Sequence, residues 1–561
     1  MANIDQKQLG RLRQGNGEIA NHIIDEFVAG NISRREFIRR GTVIGISVPL
    51  LGAIAAACGS SSSGGTTATT ASTVAPGATG ATINAGIVVP TGDINPVTVS
   101  DQGGLDMLAQ TGEYLCLSDE HLNLKSVLAT SWSANSTGDV WTFKLRPGVK
   151  FNTGQAFTAD DVVYTYQLQA SPTGKSNALS AFSGVLKPEG VKKIDDLTVE
   201  FSLEAPNGNF PYLCSSDNYN MVIMPNKYDP ASWQSSFVGT GPFVMKSYTT
   251  NVGATFARNE QYWGTKALPA KTVFTFYKDQ PPQITALQSG QIDVIGQFSE
   301  SGGQALLTGA YNVIKLRSSA HRELSMRCDQ APFTDPRVRQ AVALCINRPN
   351  TVTALFKGLA DIGNDSPFAP VFPSTNTSVA QRAQNIAQAK SLLAAAGHGS
   401  GFSTQLDTED FLEIPQFAQI VKQFASAVGV NINLKVESSS AYYGTAVFGK
   451  SDWLDATMSL VDYGHRAVPN VFLTAPLQST GTWNAAHFKN SQYDKLSTQY
   501  VAAVDLGTQR TLAGQIETLL LAETPIIYAY FYNYLTATAK TVTGVYPTAI
   551  GHLFLYGATK S

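Results

Sequence analysis

The chain has 561 residues and nearly balanced charge, with 40 Lys and Arg against 42 Asp and Glu. It has no basic patch or run, which argues against nucleic-acid binding. Beyond the N-terminal region no segment is long and apolar enough to cross a bilayer. The length exceeds what one core supports, so two or three domains are expected.

The N-terminal region indicates an export signal. Residues 33–38 (SRREFI) precede two further arginines and an uncharged stretch, residues 41–57, rich in Ala, Gly, Ile and Leu. A positive region, a short apolar region and small residues at a cleavage site make up such a signal. The arginine pair resembles the twin-arginine signal. The small residues before Cys58 resemble a lipobox, so we expect Cys58 to be acylated and to anchor the mature chain to a membrane.

An uncleaved transmembrane helix over residues 41–57 is the alternative, but this stretch is short and only weakly apolar. Residues 59–81 are mostly Ser, Thr, Gly and Ala, a composition typical of a flexible tether. Without residues 1–58, 33 Lys and Arg remain against 37 Asp and Glu, a net charge of −4. The mature part is expected to lie outside the cytoplasm. We assign no role to residues 1–32.

Four cysteines follow the signal: Cys116, Cys214, Cys328 and Cys345. Their spacing matches neither a zinc ribbon nor a thioredoxin-type site. An exported protein can pair such cysteines, but the sequence leaves the connectivity open. Cys345 falls on the apolar face of a predicted helix, where burial as a small hydrophobic residue is the default.

The first predicted elements of the mature chain form a strand and a helix. Residues 141–146 alternate between apolar and polar, as in a half-buried strand, and Pro147-Gly148 predicts a turn. Thr158 is placed to cap a helix whose first turn carries two aspartates.

Later elements predict an α/β arrangement. Asp335 is a candidate N-cap with Pro336 at the first helical position, and apolar residues follow at helical spacing. Further helices are predicted over 386–396 and 415–428, each followed by glycine. The second leads into an alternating strand over 432–436. A helix, a glycine and a strand in succession predict a mainly parallel sheet.

Several motifs in a fixed order carry a family resemblance. The matching segments lie at residues 128–133, 141–151, 157–165, 239–243, 259–263, 287–293 and 332–341. In this order they resemble the extracytoplasmic solute-binding proteins of family 5, the peptide/nickel class that serves ABC importers. The similarity extends over nearly all of the mature chain.

The resemblance implies an α/β, two-lobed clamshell fold of the type II periplasmic-binding-protein kind, with an extra inserted subdomain. The first lobe is then discontinuous, the inserted subdomain carries several of the motifs, and the second lobe is one stretch. A ligand between the lobes favours the closed form. The implied division is lobe I at 82–117, 233–312 and 521–561, the inserted subdomain at 118–232, and lobe II at 313–520.

The candidate ligand loop is residues 462–470 (DYGHRAVPN). The resemblance implies an aspartate four residues before Pro469 that holds a peptide amino group, but His465 stands there. A neutral histidine cannot replace a carboxylate facing an ammonium group, which argues against a generic peptide ligand. Arg466 is expected to receive an anion or a sugar hydroxyl, or to pair with Asp462; Tyr463 belongs to the same candidate set.

Weaker ligand candidates are assigned to aromatic or polar positions of the pocket-lining type. These residues are Trp483, Asn484, Tyr443, Tyr219 and Asn218. For Trp483 and Tyr443, packing beneath the loop is the open alternative.

Metal coordination is not expected, since no two histidines have the spacing of a metal-binding helix face. Capture of nickel with a small chelator stays open. No catalytic motif is present, so an exported hydrolase is the weaker alternative, and a receptor that presents ligand to a membrane sensor is another. The sequence therefore predicts a monomeric, lipid-anchored solute-binding protein without a cofactor. Its expected partners are a permease and an ATPase, and its expected ligand is an oligopeptide or another small polar molecule such as an oligosaccharide.

Overall fold

The computed structural model describes residues 80–235 and 237–561. The chain separates into two compact units, Met1–Val74 and Ala75–Ser561, and all described residues belong to the second unit. The predicted signal, Cys58 and nearly all of the predicted tether lie outside the described residues. Within the described residues, no helix combines the length and hydropathy that a membrane crossing needs.

A seven-stranded sheet forms the first lobe. In spatial order the strands are β12 (Asn312–Leu316), β19 (Tyr534–Thr538), β11 (Val294–Phe298), β1 (Thr82–Val88), β10 (Lys271–Tyr277), β9 (Gly253–Arg258) and β8 (Phe243–Thr249). Strand β1 pairs in parallel with β10 and β11, and the remaining neighbours are antiparallel. Helices α1 (Gln102–Thr111) and α5 (Gln280–Gln288) contact this sheet.

The inserted subdomain contains an antiparallel four-stranded sheet. Its strands are β4 (Ala129–Ala134), β5 (Val140–Leu145), β7 (Thr198–Ser202) and β6 (Val191–Asp195). It also carries the hairpin β2 (Cys116–Ser118) and β3 (Leu124–Ser126), and helices α2 (Ala159–Ala170), α3 (Leu179–Phe182) and α4 (Phe210–Leu213). Phe143 is completely buried, with edge contacts to Phe201 and Phe210, so the alternating face of β5 forms the centre of this core.

The second lobe is built on a six-stranded mixed sheet. The strands are β14 (Ala360–Ile362), β18 (Ile526–Tyr532), β13 (His321–Met326), β17 (Met458–Tyr463), β15 (Phe402–Glu409) and β16 (Val430–Glu437). One face packs against α6 (Pro336–Cys345), α7 (Arg348–Phe356), α8 (Ile386–Ala395) and α9 (Ile414–Ser426). The other face packs against α10 (Ser439–Tyr442), α11 (Asn470–Thr474), α12 (Ser491–Ala502) and α13 (Leu506–Glu523).

Short elements complete the described chain. Two small antiparallel pairs lie near the C-terminus, β20 (Val542–Thr543) with β23 (Thr559–Lys560) and β21 (Tyr546–Pro547) with β22 (Leu553–Phe554). Four 3-10 turns are present at Pro172–Gly174, Pro188–Gly190, Pro230–Ser232 and Gln304–Thr308.

Local predictions agree with these elements. Thr158 caps α2 in a capping box with Asp161, whose carboxylate accepts the Thr158 backbone N–H at 2.7 Å. Asp335 caps α6 and Pro336 is its first residue. Strands β15 and β16, on either side of α9, are parallel, as the helix–glycine–strand pattern predicts.

Residues 239–242 lead directly into β8, which begins at Phe243. A Cβ on Gly239 would lie 2.2 Å from the Thr111 carbonyl oxygen, so close backbone packing requires glycine there.

Two strands bear on the expected lobe divisions. Strand β12, which spans the division expected at 313, runs to Leu316 inside the first-lobe sheet. Strand β18, which follows the division expected at 521, runs to Tyr532 inside the second-lobe sheet. The hydrophobic pattern of these strands does not indicate which sheet they join, and the division of the chain into domains stays a prediction.

The cysteines whose pairing the sequence leaves open are free thiols in the structure. Cys116, Cys214 and Cys345 are buried, and Cys328 is half-buried. Burial raises the pKa of Cys328 to about 11 and that of Cys345 to about 12. Both therefore behave as weakly reactive thiols.

The inserted subdomain contacts the second lobe directly. The Gly208 N–H donates to the Val501 carbonyl at 2.8 Å. The Asn209 amide donates to Asn470 Oδ1 at 2.8 Å and accepts from Gln509 Nε2 at 3.0 Å. Asn209 and Gln509 are buried. This polar interface spans two parts of the chain that are about 300 residues apart.

Candidate functional site

A small cavity marks the place where the two lobes meet. Ser118, Asp119, Glu120 and Asp217 line it on one side, and His465 lines it from the second lobe. Its volume is about 20 Å³, enough for one water molecule. The lobes are therefore close together around His465, and the predicted loop reaches the cleft.

Contacts to the crossing segment between the lobes hold this loop. The Ser319 backbone N–H donates to His465 Nδ1 at 3.0 Å. The Ser319 hydroxyl accepts the Arg466 N–H at 2.9 Å and donates to the Arg466 carbonyl at 2.6 Å. Because Ser319 lies between β12 and β13, where the chain passes from one lobe to the other, the loop is coupled to the hinge.

The hydrogen bond from the Ser319 backbone N–H also determines which nitrogen of the His465 imidazole carries the proton. A backbone N–H can only donate, so Nδ1 is the acceptor and the neutral ring carries its proton on Nε2. His465 is 3% exposed. Burial, and then the nearby Arg466, lower the pKa of His465 to about 3. The ring is therefore neutral at physiological pH and has one N–H to donate.

Arg466 is exposed, and its hydrogen-bond partners among the described residues are the His465 carbonyl and Ser319. Its Nη1 donates to the His465 carbonyl at 2.8 Å. Among the described residues no carboxylate forms an ion pair with it. The expected alternative, a pair between Arg466 and Asp462, is wrong because Asp462 bonds to Arg322 instead. Arg466 follows the cavity-lining His465 directly, and its exposed guanidinium is available to an anion.

The sequence did not indicate the buried Arg322. Its Nη2 donates to Glu413 Oε2 at 3.2 Å, and its guanidinium lies 4.6 Å from the centre of the Tyr532 ring. Burial raises the pKa of Asp462, although Arg322 opposes this rise. Asp462 is near the carboxyl end of β17, the edge at which ligands of α/β sheets commonly bind. No local pattern signals this cluster, because Arg322 and Asp462 are 140 residues apart.

Asp217 is a second residue that the sequence did not indicate. Its carboxylate accepts hydrogen bonds from the hydroxyls of Ser118 and Ser215. Burial raises its pKa to about 6, although these bonds oppose the rise. It lines the same small cavity as His465.

The aromatic ligand candidates of the second lobe lie within or next to the loop of residues 462–470. Tyr463 is buried, and its ring lies 5.5 Å from that of His321 and 6.1 Å from that of Trp483. Trp483 is 37% exposed. The Tyr443 hydroxyl accepts the Asp462 N–H at 3.0 Å and donates to Glu409 at 3.0 Å.

The remaining candidates make mostly local contacts. The Asn484 amide donates to the carbonyls of Gln478 and Phe488 at 3.0 and 2.8 Å. The Asn218 amide donates to Leu213 at 3.1 Å. Tyr219 packs against the first core, and its carbonyl accepts the Tyr114 hydroxyl. As ligand contacts, these residues stay predictions.

Among the residues that the structure describes, no three His, Cys, Asp or Glu side chains are placed to hold a metal ion.

Comparison with known proteins identifies the family of this chain. The model of the bacterial extracellular solute-binding proteins, family 5 (middle), matches residues 123–484. The chain belongs to this family. It is a solute-binding protein, and the family and fold class expected from the sequence are confirmed.

Individual relatives are distant but cover most of the chain. Haem-binding protein A of Haemophilus influenzae is 24% identical over 478 residues, covering 78% of this chain and 84% of the relative. Dipeptide-binding protein DppE of Bacillus subtilis is 25% identical over 467 residues, covering 77% and 83%.

Among solved structures, HbpA2 from Haemophilus parasuis has a TM-score of 0.76 at 22% identity, with 86% of this chain and 100% of that chain covered. The unliganded open form of the periplasmic murein tripeptide-binding protein MppA has a TM-score of 0.76 at 21% identity, covering 86% and 98%. These similarities show the fold. The curated relatives named here are binding proteins.

Proposed function

We propose that this solute-binding protein captures an organic solute carrying a carboxylate between its lobes and delivers it to the permease and ATPase of an ABC importer. The observation that carries the proposal is Arg466, an exposed residue next to the cavity-lining His465, whose guanidinium has no carboxylate partner among the described residues. Arginine binds carboxylates through two parallel hydrogen bonds, which favours this ligand group.

The neighbouring groups support the same ligand chemistry. His465 is neutral and offers an N–H, so it acts beside Arg466 as a second donor toward an anion. Asp217 lines the same cavity and is an acceptor. An amino group of the solute near Asp217 and a carboxylate near Arg466 would match both charges. A short peptide carries both groups, and a relative is named as a dipeptide-binding protein.

The proposed ligand contacts are centred on Arg466, His465 and Asp462. Tyr463, Tyr443 and Trp483 would form the aromatic wall beside them, because Tyr463 contacts Trp483 and the Tyr443 hydroxyl accepts the Asp462 N–H. The cavity of about 20 Å³ requires the lobes to separate before a solute enters. Closure on the bound solute would then follow from its higher affinity for the closed form.

The proposal includes export by the twin-arginine route and anchoring through acylated Cys58, supported by the sequence pattern of residues 33–58. Acyl chains contribute about 0.8 kcal/mol per buried methylene, so several chains hold a folded domain at a membrane. Fractionation of cells tests this part. The Cys58→Ala variant should move from the membrane to the soluble fraction, and its retention in the membrane would contradict the anchor.

The ligand group is tested with a dipeptide library and the matching C-terminal amides. Mass spectrometry of the solute that co-purifies with the folded protein first selects the sequences to use. The free acids should raise the melting temperature and the amides should not. Arg466→Gln should remove the difference between acid and amide.

Arg510→Gln is the matched control, because Arg510 is also exposed and donates to a backbone carbonyl, at 2.9 Å. Equal stabilisation of the wild-type protein by acids and amides would contradict the carboxylate proposal. Binding that is unchanged in Arg466→Gln would exclude Arg466 as the anchor.

A further inference from the structure

A second and much larger cavity lies between the first lobe and the inserted subdomain. Its volume is about 660 Å³, within the usual range for small-molecule sites. It is bounded by the end of α1, by β3, by the turn that follows β9 and by the C-terminal segment. It shares no lining residue with the cavity that holds His465.

Aromatic rings form much of its wall. They belong to Tyr114, Tyr262, Trp263, Phe554 and Tyr556. Tyr556 is 38% exposed, so one ring is open to an entering molecule. The faces of such rings carry negative potential and attract cations.

One buried carboxylate lies in the same wall. Glu113 is 7% exposed. Its Oε1 accepts the Tyr262 hydroxyl at 2.6 Å, and its Oε2 accepts the Trp263 indole N–H at 2.8 Å. These donors orient the carboxylate, but neither carries a positive charge.

The cations near Glu113 are engaged elsewhere. Lys125 pairs with Asp119 at 3.1 Å, and Lys266 pairs with Glu260 at 2.9 Å. The Arg146 guanidinium stacks on Trp263, 4.7 Å from the ring centre. Within the described residues, Glu113 has no ion-pair partner. A buried carboxylate without a counter-ion is unfavourable, and a cationic ligand would relieve this.

We propose that this cavity is a second binding site that takes an organic cation, with an ammonium group against Glu113 and the aromatic rings. The site is independent of the inter-lobe cleft. Ring faces and a fixed carboxylate together select a positive charge, while the apolar remainder of the wall accommodates alkyl or aryl groups.

The test compares choline with its uncharged carbon isostere, 3,3-dimethylbutan-1-ol, by calorimetry at pH 8. Choline should bind at least tenfold more tightly than the isostere. Glu113→Gln should weaken choline binding at least tenfold. The variant should still fold, because a glutamine amide can accept the Trp263 N–H and donate to the Tyr262 hydroxyl.

Two further variants test the contributions of the aromatic rings and of the inter-lobe cleft separately from that of the Glu113 carboxylate. Tyr556→Leu should weaken choline binding several-fold without touching the carboxylate. Arg466→Gln should leave it unchanged, so the second site and the proposed cleft ligand are tested separately. Glu189→Gln, at an exposed position outside both cavities, controls for removal of a carboxylate elsewhere.

The pH dependence gives an additional readout. Burial raises the pKa of Glu113 to about 7, although its hydrogen bonds and Arg146 oppose the rise. The other polar groups that face it are the Tyr262 and Tyr556 hydroxyls, whose pKa values burial also raises, and Lys125 and Lys266. Ionised Glu113 binds the cation, so choline affinity should fall about tenfold from pH 8 to pH 6.

Three results would overturn the proposal: no heat with millimolar choline, equal affinity for the neutral isostere, or full binding by Glu113→Gln. Loss of choline binding in Arg466→Gln would place the cation in the cleft instead and would also overturn it.

Discussion

The contact between the inserted subdomain and the second lobe predicts a strong effect of Gly208→Ala. A Cβ on Gly208 would lie 1.8 Å from the Ala503 carbonyl oxygen and 2.9 Å from Val504 Cα. Both atoms belong to the backbone, so no side-chain rotation removes the clash. The two segments must separate by about 1.2 Å to reach 3.0 Å, the shortest separation that real Cβ atoms show.

This separation breaks specific hydrogen bonds. The bond from Gly208 to Val501 would lengthen from 2.8 Å to well beyond hydrogen-bonding range. The bonds of Asn209 to Asn470 and Gln509 would weaken with it. At about 1 kcal/mol each, the loss is about 2–3 kcal/mol. This corresponds to an increase of about 30- to 150-fold in the population of the undocked state.

Hydrogen–deuterium exchange of the peptide covering residues 205–212 measures this population directly. Its protection should fall by a similar factor, and small-angle X-ray scattering of the ligand-free variant should show a larger radius of gyration. Gly92→Ala is the matched control, because a Cβ there meets no atom within 4 Å. Unchanged exchange and an unchanged radius in Gly208→Ala would refute the role of this contact in holding the lobes together.

Three further outcomes concern stability. Arg322→Ala should lower the free energy of unfolding by about 3–5 kcal/mol, because Asp462 and Glu413 lose the buried cation between them. A decrease below 1 kcal/mol in denaturant unfolding would argue against this. Phe143→Ala should cost about 3–5 kcal/mol through the cavity left in the subdomain core, and an unchanged unfolding midpoint would contradict that packing. Burial raises the pKa of Glu517 to about 7, so its stabilising contribution is full below its unfolded pKa of about 4.5 and is lost as pH rises through 7. Glu517→Gln should therefore flatten the fall in melting temperature from pH 5 to pH 8, and an unaltered slope would show that Glu517 does not cause it.

His465 stands where the family resemblance implies an aspartate. It is held by the Ser319 N–H, which fixes Nδ1 as an acceptor and leaves Nε2 as a donor. In the proposed site, the second lobe therefore offers a hydrogen-bond donor, and Asp217, which lines the same cavity, offers an acceptor.

Local elements could be derived from the sequence because their causes lie within a few residues. The capping box of Thr158 and Asp161, the Asp335 cap with Pro336, and the alternation in β5 all depend on neighbours in the chain. The family and the fold class followed from motifs of this local kind. The candidate loop was also found in this way, since the proline and its neighbours keep their spacing.

Only the tertiary structure decided which charges meet. Arg322 pairs with Asp462 across 140 residues, and Tyr262 reaches Glu113 across 149. Whether β12 and β18 join the first or the second sheet was likewise decided by packing. Periodicity specifies the face that a residue occupies, but it carries no information about the distant group on the other side of that face. The free guanidinium of Arg466 and the unpaired carboxylate of Glu113 could therefore be recognised only once the chain was folded.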